Sequence, residues 1–164
     1  MSSVLGLFKN PSWDVALFIF LVACGFFWST SKGKRALSFI IVSIYVLFAL
    51  WPSIPLGAIT NGRAPLEIWA LHAGIFVALL LLLLLFMFRS FKGAFGGGEG
   101  IWWEILLLSM LGAGFLISIF LGLAPAEVIK NNSLHLTPLV LKFFASPEFI
   151  RWWTILPIFG VLFL

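Results

Sequence analysis

Five long apolar stretches alternate with short polar ones along the chain: Trp13 to Ser29, Ala36 to Pro52, Ile68 to Phe88, Ile101 to Leu123 and Pro147 to Leu164. A hydrocarbon core about 30 Å thick takes roughly 20 helical residues, with about 17 as a lower bound. Each stretch therefore predicts a membrane-crossing helix, and with their polar ends the helices are expected at 12–29, 36–52, 66–88, 101–123 and 147–164. The expected fold is all-α, a polytopic transmembrane helical bundle forming one domain over residues 1–164. The fifth helix is marginal. It has no cation after it, and Pro157 removes a backbone donor, which predicts a kink, partial insertion or dependence on a partner helix.

Tryptophan prefers the headgroup level, where an apolar ring and an N–H are both satisfied. All eight fall at stretch ends: Trp13, Trp28, Trp51, Trp69, the pair Trp102–Trp103 and the pair Trp152–Trp153. The short connections that hold Lys32, Lys34 and Arg35, and Arg89 and Lys92, are expected to face the cytoplasm. The other side carries Lys9, Arg63, Lys130, Lys142 and Arg151, spread over more residues and interleaved with carboxylates. This predicts an N-terminus outside and a C-terminus in the cytoplasm. Lys32, Lys34 and Arg35 are then expected to meet anionic lipid headgroups, each at about 1 kcal/mol.

Composition narrows the class. Of 164 residues 62% are apolar, against roughly 45–50% in soluble domains, and only 10% are charged. The net charge of +4 comes from scattered cations that form no continuous basic face, so nucleic acid is not an expected partner. Cys24 is the one cysteine, which excludes an internal disulfide and a paired-thiolate metal site. Leu21-Val22-Ala23-Cys24 matches the pattern that precedes a lipid-modified cysteine, but Asp14 at the start of the run and the cations after it oppose a cleaved signal.

The acids follow helix-start chemistry. Asp14, Glu67, Glu127 and Glu148 each lie just after a proline at a predicted helix start, where free N–H groups and the helix dipole favour a carboxylate. Glu99 sits in Gly96-Gly97-Gly98-Glu99-Gly100, which lacks the lysine and hydroxyl of a phosphate-binding loop. Glu104, one turn inside the fourth stretch, is expected to pair with Arg89 or Lys92. His72 lies one turn past Trp69, and Asp14 falls within about 3 Å of its depth at 1.5 Å per residue, so the two are expected to pair if helices one and three touch. His135 falls in the outer connection. Asp14, His72 and Glu104 are thus the candidate functional polar residues. No nucleophile–base arrangement, metal motif or cofactor motif accompanies them, and the expectation is a non-enzyme without a cofactor.

In lipid, helices associate through close backbone approach, so small residues mark contact faces. Ser109 and Ala113, Gly114 and Ser118, and also Gly112 and Gly122 predict that the fourth helix packs on more than one side. Leu79 to Leu85 in the third predicts lipid or a smooth groove. The connection 124–146 is expected to carry an interfacial helix from about Pro138 to Ala145 on the outer membrane surface. Asn131-Asn132-Ser133 also fits a glycosylation triplet.

The order Trp13-Asp14, Lys32-Gly33-Lys34-Arg35, Ser43-Ile44-Tyr45-Val46, Trp102-Trp103-Glu104, Leu136-Thr137-Pro138 and Pro157-Ile158-Phe159 resembles an uncharacterised family of small polytopic proteins from bacterial candidate phyla. The first helical hairpin and the layout after it are more distantly similar to the colicin V production protein family. The resemblance implies a bacterial inner-membrane protein and brings no catalytic residue with it. The expected role is a non-catalytic accessory or scaffold subunit of a membrane assembly. Its expected partners are membrane lipids and either another protein or a second copy of the chain. The alternative is a homo-oligomeric transporter or channel subunit whose path Asp14, His72 and Glu104 line.

Overall fold

A segment that crosses hydrocarbon must satisfy its own backbone N–H and C=O groups, and a helix does so within the segment. The computed structural model, which describes residues 13–90, 101–131 and 133–164, contains five long helices of this kind. They are α1 (Trp13–Lys32), α2 (Lys34–Leu50), α3 (Pro65–Ser90), α4 (Trp102–Gly122) and α5 (Pro147–Phe163). Short helical turns occupy Trp51–Ser53, Gly57–Thr60, Ala126–Lys130, Pro138–Val140 and Leu141–Ala145, and no strand occurs among the described residues. Four segments are long and apolar enough to cross a membrane: Trp13–Lys32, Lys34–Ser53, Pro65–Ser90 and Trp102–Gly122. The chain is an all-α, multi-pass membrane protein. Lys9, Ser12, Lys92, the glycine-rich loop with Glu99, and Asn132 lie outside the described residues.

Helix ends differ from the expected bounds by at most a turn, for local reasons. α1 runs on to Lys32 and turns back through one residue, Gly33, whose φ of 91° strains any residue with a side chain. The Gly33 N–H donates to the Ser29 carbonyl at 2.7 Å, closing the last turn of α1. This places Lys32 at a helix C-terminus, which favours a cation, but Lys34 and Arg35 at a helix N-terminus, which disfavours one.

α4 is the centre of the bundle. Ten of its residues are buried, against two each on α1 and α3. One side packs Phe115 and Ile119 against Ile44 and Leu47 of α2 and Phe76 and Leu80 of α3. Another sets Leu108 against Leu37 and Ile41 of α2, and a third sets Ile117 and Leu121 against Leu136, Val140 and Phe144 of the connection. Small residues permit this crowding. A Cβ on Gly25 would stand 3.3 Å from that of Ser109, one on Gly112 would stand 3.2 Å from Ile41, and one on Gly114 would meet the Trp153 ring. Packing of α4 on several sides was expected, but Gly122 is not part of it, since a Cβ there meets nothing within 4 Å.

The connection before α5 is helical over the stretch expected: Pro138–Val140 runs into the π turn Leu141–Ala145, which leaves Leu139, Lys142 and Phe143 exposed and packs Val140 and Phe144, with Leu136 before them, against α4. The Ser118 hydroxyl donates to the Phe144 carbonyl at 2.9 Å. Ser118 lies four residues before the end of α4, about 6 Å into the bundle. Irregular backbone at such depth is tolerated because protein covers it. Phe143 would ordinarily receive a helical bond from position 147, a proline without an N–H. The Trp153 indole takes that place, donating to the Phe143 carbonyl at 2.7 Å.

Candidate functional site

Asp14 stands in the first turn of α1, as expected of a helix-start acid, yet it is 4% exposed. Its Oδ2 accepts from both the backbone N–H and the hydroxyl of Thr137, each at 2.7 Å, and Oδ1 accepts from the Val15 N–H at 2.9 Å. Thr137 is the residue that opens the Pro138–Val140 turn. Asp14 therefore fastens the long connection onto the start of α1 across 123 positions of sequence. The expected pair with His72 does not form. α1 and α3 approach at the end of the bundle that carries the basic turn, where the Trp28 and Phe88 rings lie 6.3 Å apart. At the far end a crevice of about 280 Å³ separates them, walled by Trp13, Leu17, Trp69 and Ala73.

Glu104 is paired, but with neither Arg89 nor Lys92. The Lys34 ammonium reaches its Oε2 at 2.6 Å, and the two side chains are 21% and 18% exposed. The reason is electrostatic: Lys34 sits at a helix N-terminus, where the dipole repels it, and the acid from α4 offsets that repulsion. Lys34 was expected at lipid headgroups and is instead an interhelix contact, whereas Lys32 and Arg35 are exposed. A double-mutant cycle on Lys34→Met and Glu104→Gln is expected to return a coupling of about 1 kcal/mol in the unfolding free energy. A coupling of zero would return Lys34 to the headgroups.

His72 lies about 80° around α3 from the side of Trp69 and Ala73 that walls the crevice, and it meets Trp51 edge to face, with ring centroids 5.9 Å apart. Both line a cavity of about 430 Å³ with Phe48, Phe115, Ser118 and Thr154. The three candidates thus occupy three places: the far end of α1, the basic end of α4 and a cavity beside α2. Among the described residues no group of three metal-ligating side chains forms.

Tryptophans at the helix ends are used in two ways. Trp13, Trp28, Trp102, Trp103 and Trp152 are exposed, as an aromatic belt requires. The other three turn inward. The Trp69 indole donates to the Phe120 carbonyl at 3.0 Å, a group left over at the end of α4, while Trp51 and Trp153 pack as described above. Glu67, Glu127 and Glu148 lie exposed in first turns, as expected.

Thr137 and Tyr45 were not singled out from the sequence. The Tyr45 hydroxyl donates to the Thr154 carbonyl at 2.6 Å, tying α2 to α5. The sequence signal for Thr137 was its place before Pro138, which marks a helix start but not its partner. Comparison with protein-family models, with curated proteins and with solved structures gives no match.

Proposed function

We propose that the protein is an accessory or scaffold subunit of the bacterial inner membrane that works through lateral helix contact. The observation that carries this reading is the contrast between its two kinds of surface. Asp14, Glu104, Tyr45 and Ser118 all spend their polar groups on joining one segment of the chain to another. What faces outward along α3 is a smooth apolar ridge with Ala70, Gly74 and Ala78 one turn apart. The glycines of α1 and α5, and two on α4, sit against neighbouring helices, but a Cβ on Gly74 would meet nothing within 4 Å. Small residues at that spacing admit a second helix closely.

The orientation proposed is N-terminus outside and C-terminus in the cytoplasm. The Lys34–Glu104 pair brings the starts of α2 and α4 to one end of the bundle. Exposed Lys32 and Arg35 crowd the one-residue turn there, and Arg89 closes α3 at the same end. Dense cations in short connections are retained on the cytoplasmic side. The far end offsets Arg63, Lys130, Lys142 and Arg151 with Asp14, Glu67, Glu127 and Glu148.

The test is gentle extraction from the native membrane, determination of the mass of the complex and identification of each bound protein. The wild type is expected well above 18.2 kDa and in fixed stoichiometry with a partner. Gly74→Ile, which has room within the chain, is expected to release that partner while the bundle stays folded. A wild-type chain that emerges alone, or a folded Gly74→Ile chain that keeps its partner, contradicts the proposal.

A further inference from the structure

The cavity beside His72 lies between the far ends of α2, α3 and α4 and the start of α5, and its volume of about 430 Å³ suits a small molecule. Aromatic contacts behind its walls brace it. Tyr45 stacks on Phe115 with centroids 4.3 Å apart while bonding to Thr154, and Trp51 rests on Phe76 at 5.5 Å. The space reaches the backbone of α4 at Gly122, where a Cβ would meet nothing within 4 Å. Phe48, 42% exposed, stands on the open side.

The chemistry of the walls selects the occupant. Among the described residues no Asp, Glu, Lys or Arg lines the cavity, so a charged headgroup would be desolvated without a counter-charge. Ser118 and Thr154 already donate their hydroxyl protons to the Phe144 and Ile150 carbonyls, each at 2.9 Å, and offer only lone pairs. His72 is different: no hydrogen bond among the described residues engages its ring, and a neutral imidazole brings one donor and one acceptor. Trp51 meets that imidazole edge to face, and Phe115, stacked on Tyr45, lines the same cavity.

We propose that this cavity binds an uncharged, lipid-soluble ring that carries hydrogen-bonding oxygens, a quinone-type head. One ring oxygen sits on the His72 imidazole, the ring lies among the aromatic walls, and the apolar tail leaves past Phe48 into hydrocarbon. The site is independent of the lateral contact proposed above. His72 and Gly74 are two positions apart, hence about 200° around α3.

The test measures uptake of a decyl-substituted benzoquinone by the full chain in lipid nanodiscs, with empty nanodiscs as the reference. Saturable one-to-one uptake is expected. Gly122→Phe, which fills the space without a backbone clash, should weaken it at least about tenfold, and His72→Phe, which keeps a flat ring on Trp51, about three- to tenfold. Circular dichroism checks both variants, and His72→Phe decides the matter if Gly122→Phe does not fold. Uptake no greater than by empty nanodiscs, or equal uptake by the wild type and the folded variants, overturns the proposal. Displacement by dodecylphosphocholine as effective as by the quinone assigns the cavity to phospholipid and also overturns it.

Discussion

Gly114→Ala is expected to detach α5 from the bundle, at a cost of about 3–5 kcal/mol. The added methyl occupies space held by the Trp153 ring, and a rigid indole gives way only by moving as a whole. That movement breaks its 2.7 Å bond to the Phe143 carbonyl and its stacking on Phe144, whose centroid lies 5.0 Å away. Overpacking of about 1–3 kcal/mol, a hydrogen bond of about 1 and an aromatic pair of about 1 make up the total. Denaturant unfolding in mixed micelles measures it, with Gly122→Ala as the neutral control. Trp153→Leu removes the clashing ring, so Gly114→Ala is expected to cost little in that background. Strict additivity of the two substitutions would show that the ring does not carry the effect.

Asp14→Ala has the second large effect, about 2–4 kcal/mol, because it removes a nearly buried acceptor and leaves the Thr137 N–H without it. Asp14→Asn keeps one carbonyl oxygen and is expected to cost roughly half as much, since charge-assisted bonds are about twice as strong as neutral ones. The helical turns that Thr137 opens should also loosen, so limited proteolysis in intact vesicles is expected to cut between Pro138 and Ala145 faster in Asp14→Ala than in the wild type. Unchanged stability and unchanged cleavage would make Asp14 a simple helix-start residue.

The helices were legible in the sequence because in lipid the period hardly matters: an apolar run of the right length has one way to satisfy its backbone. α3 and α4 were placed within two residues, and the small residues of α4 marked its contacts. Pairing was harder to read. Asp14 and His72 share a depth, but depth leaves the angle around each helix open, and the crevice walled by Trp13 and Trp69 keeps them apart. Lys34 was read with Lys32 and Arg35 as one basic cluster, yet a single-residue turn points these side chains in different directions, and only Lys34 meets Glu104. The helical turns from Pro138 to Ala145 were legible too, but not the groups that fasten them, because Asp14 and Ser118 are far away in sequence.

These pairings leave little polar chemistry for a path through the bundle. Of the three residues that sequence alone offered for a pathway, Asp14 and Glu104 bond within the chain, and His72 lines a cavity with Phe48, Trp51 and Phe115. The lateral contact proposed above uses the apolar face of α3, which has only Phe76 and Leu80 buried among its 26 residues.

Cross-linking in intact native membranes tests that claim most directly. With Cys24 replaced by alanine, a cysteine at position 74 is compared with one at position 20 of α1, where Phe20 is 62% exposed. The account predicts a discrete adduct above 18.2 kDa from position 74 and none from position 20. Only unlinked chain at both positions, or the same adducts from both, would contradict it.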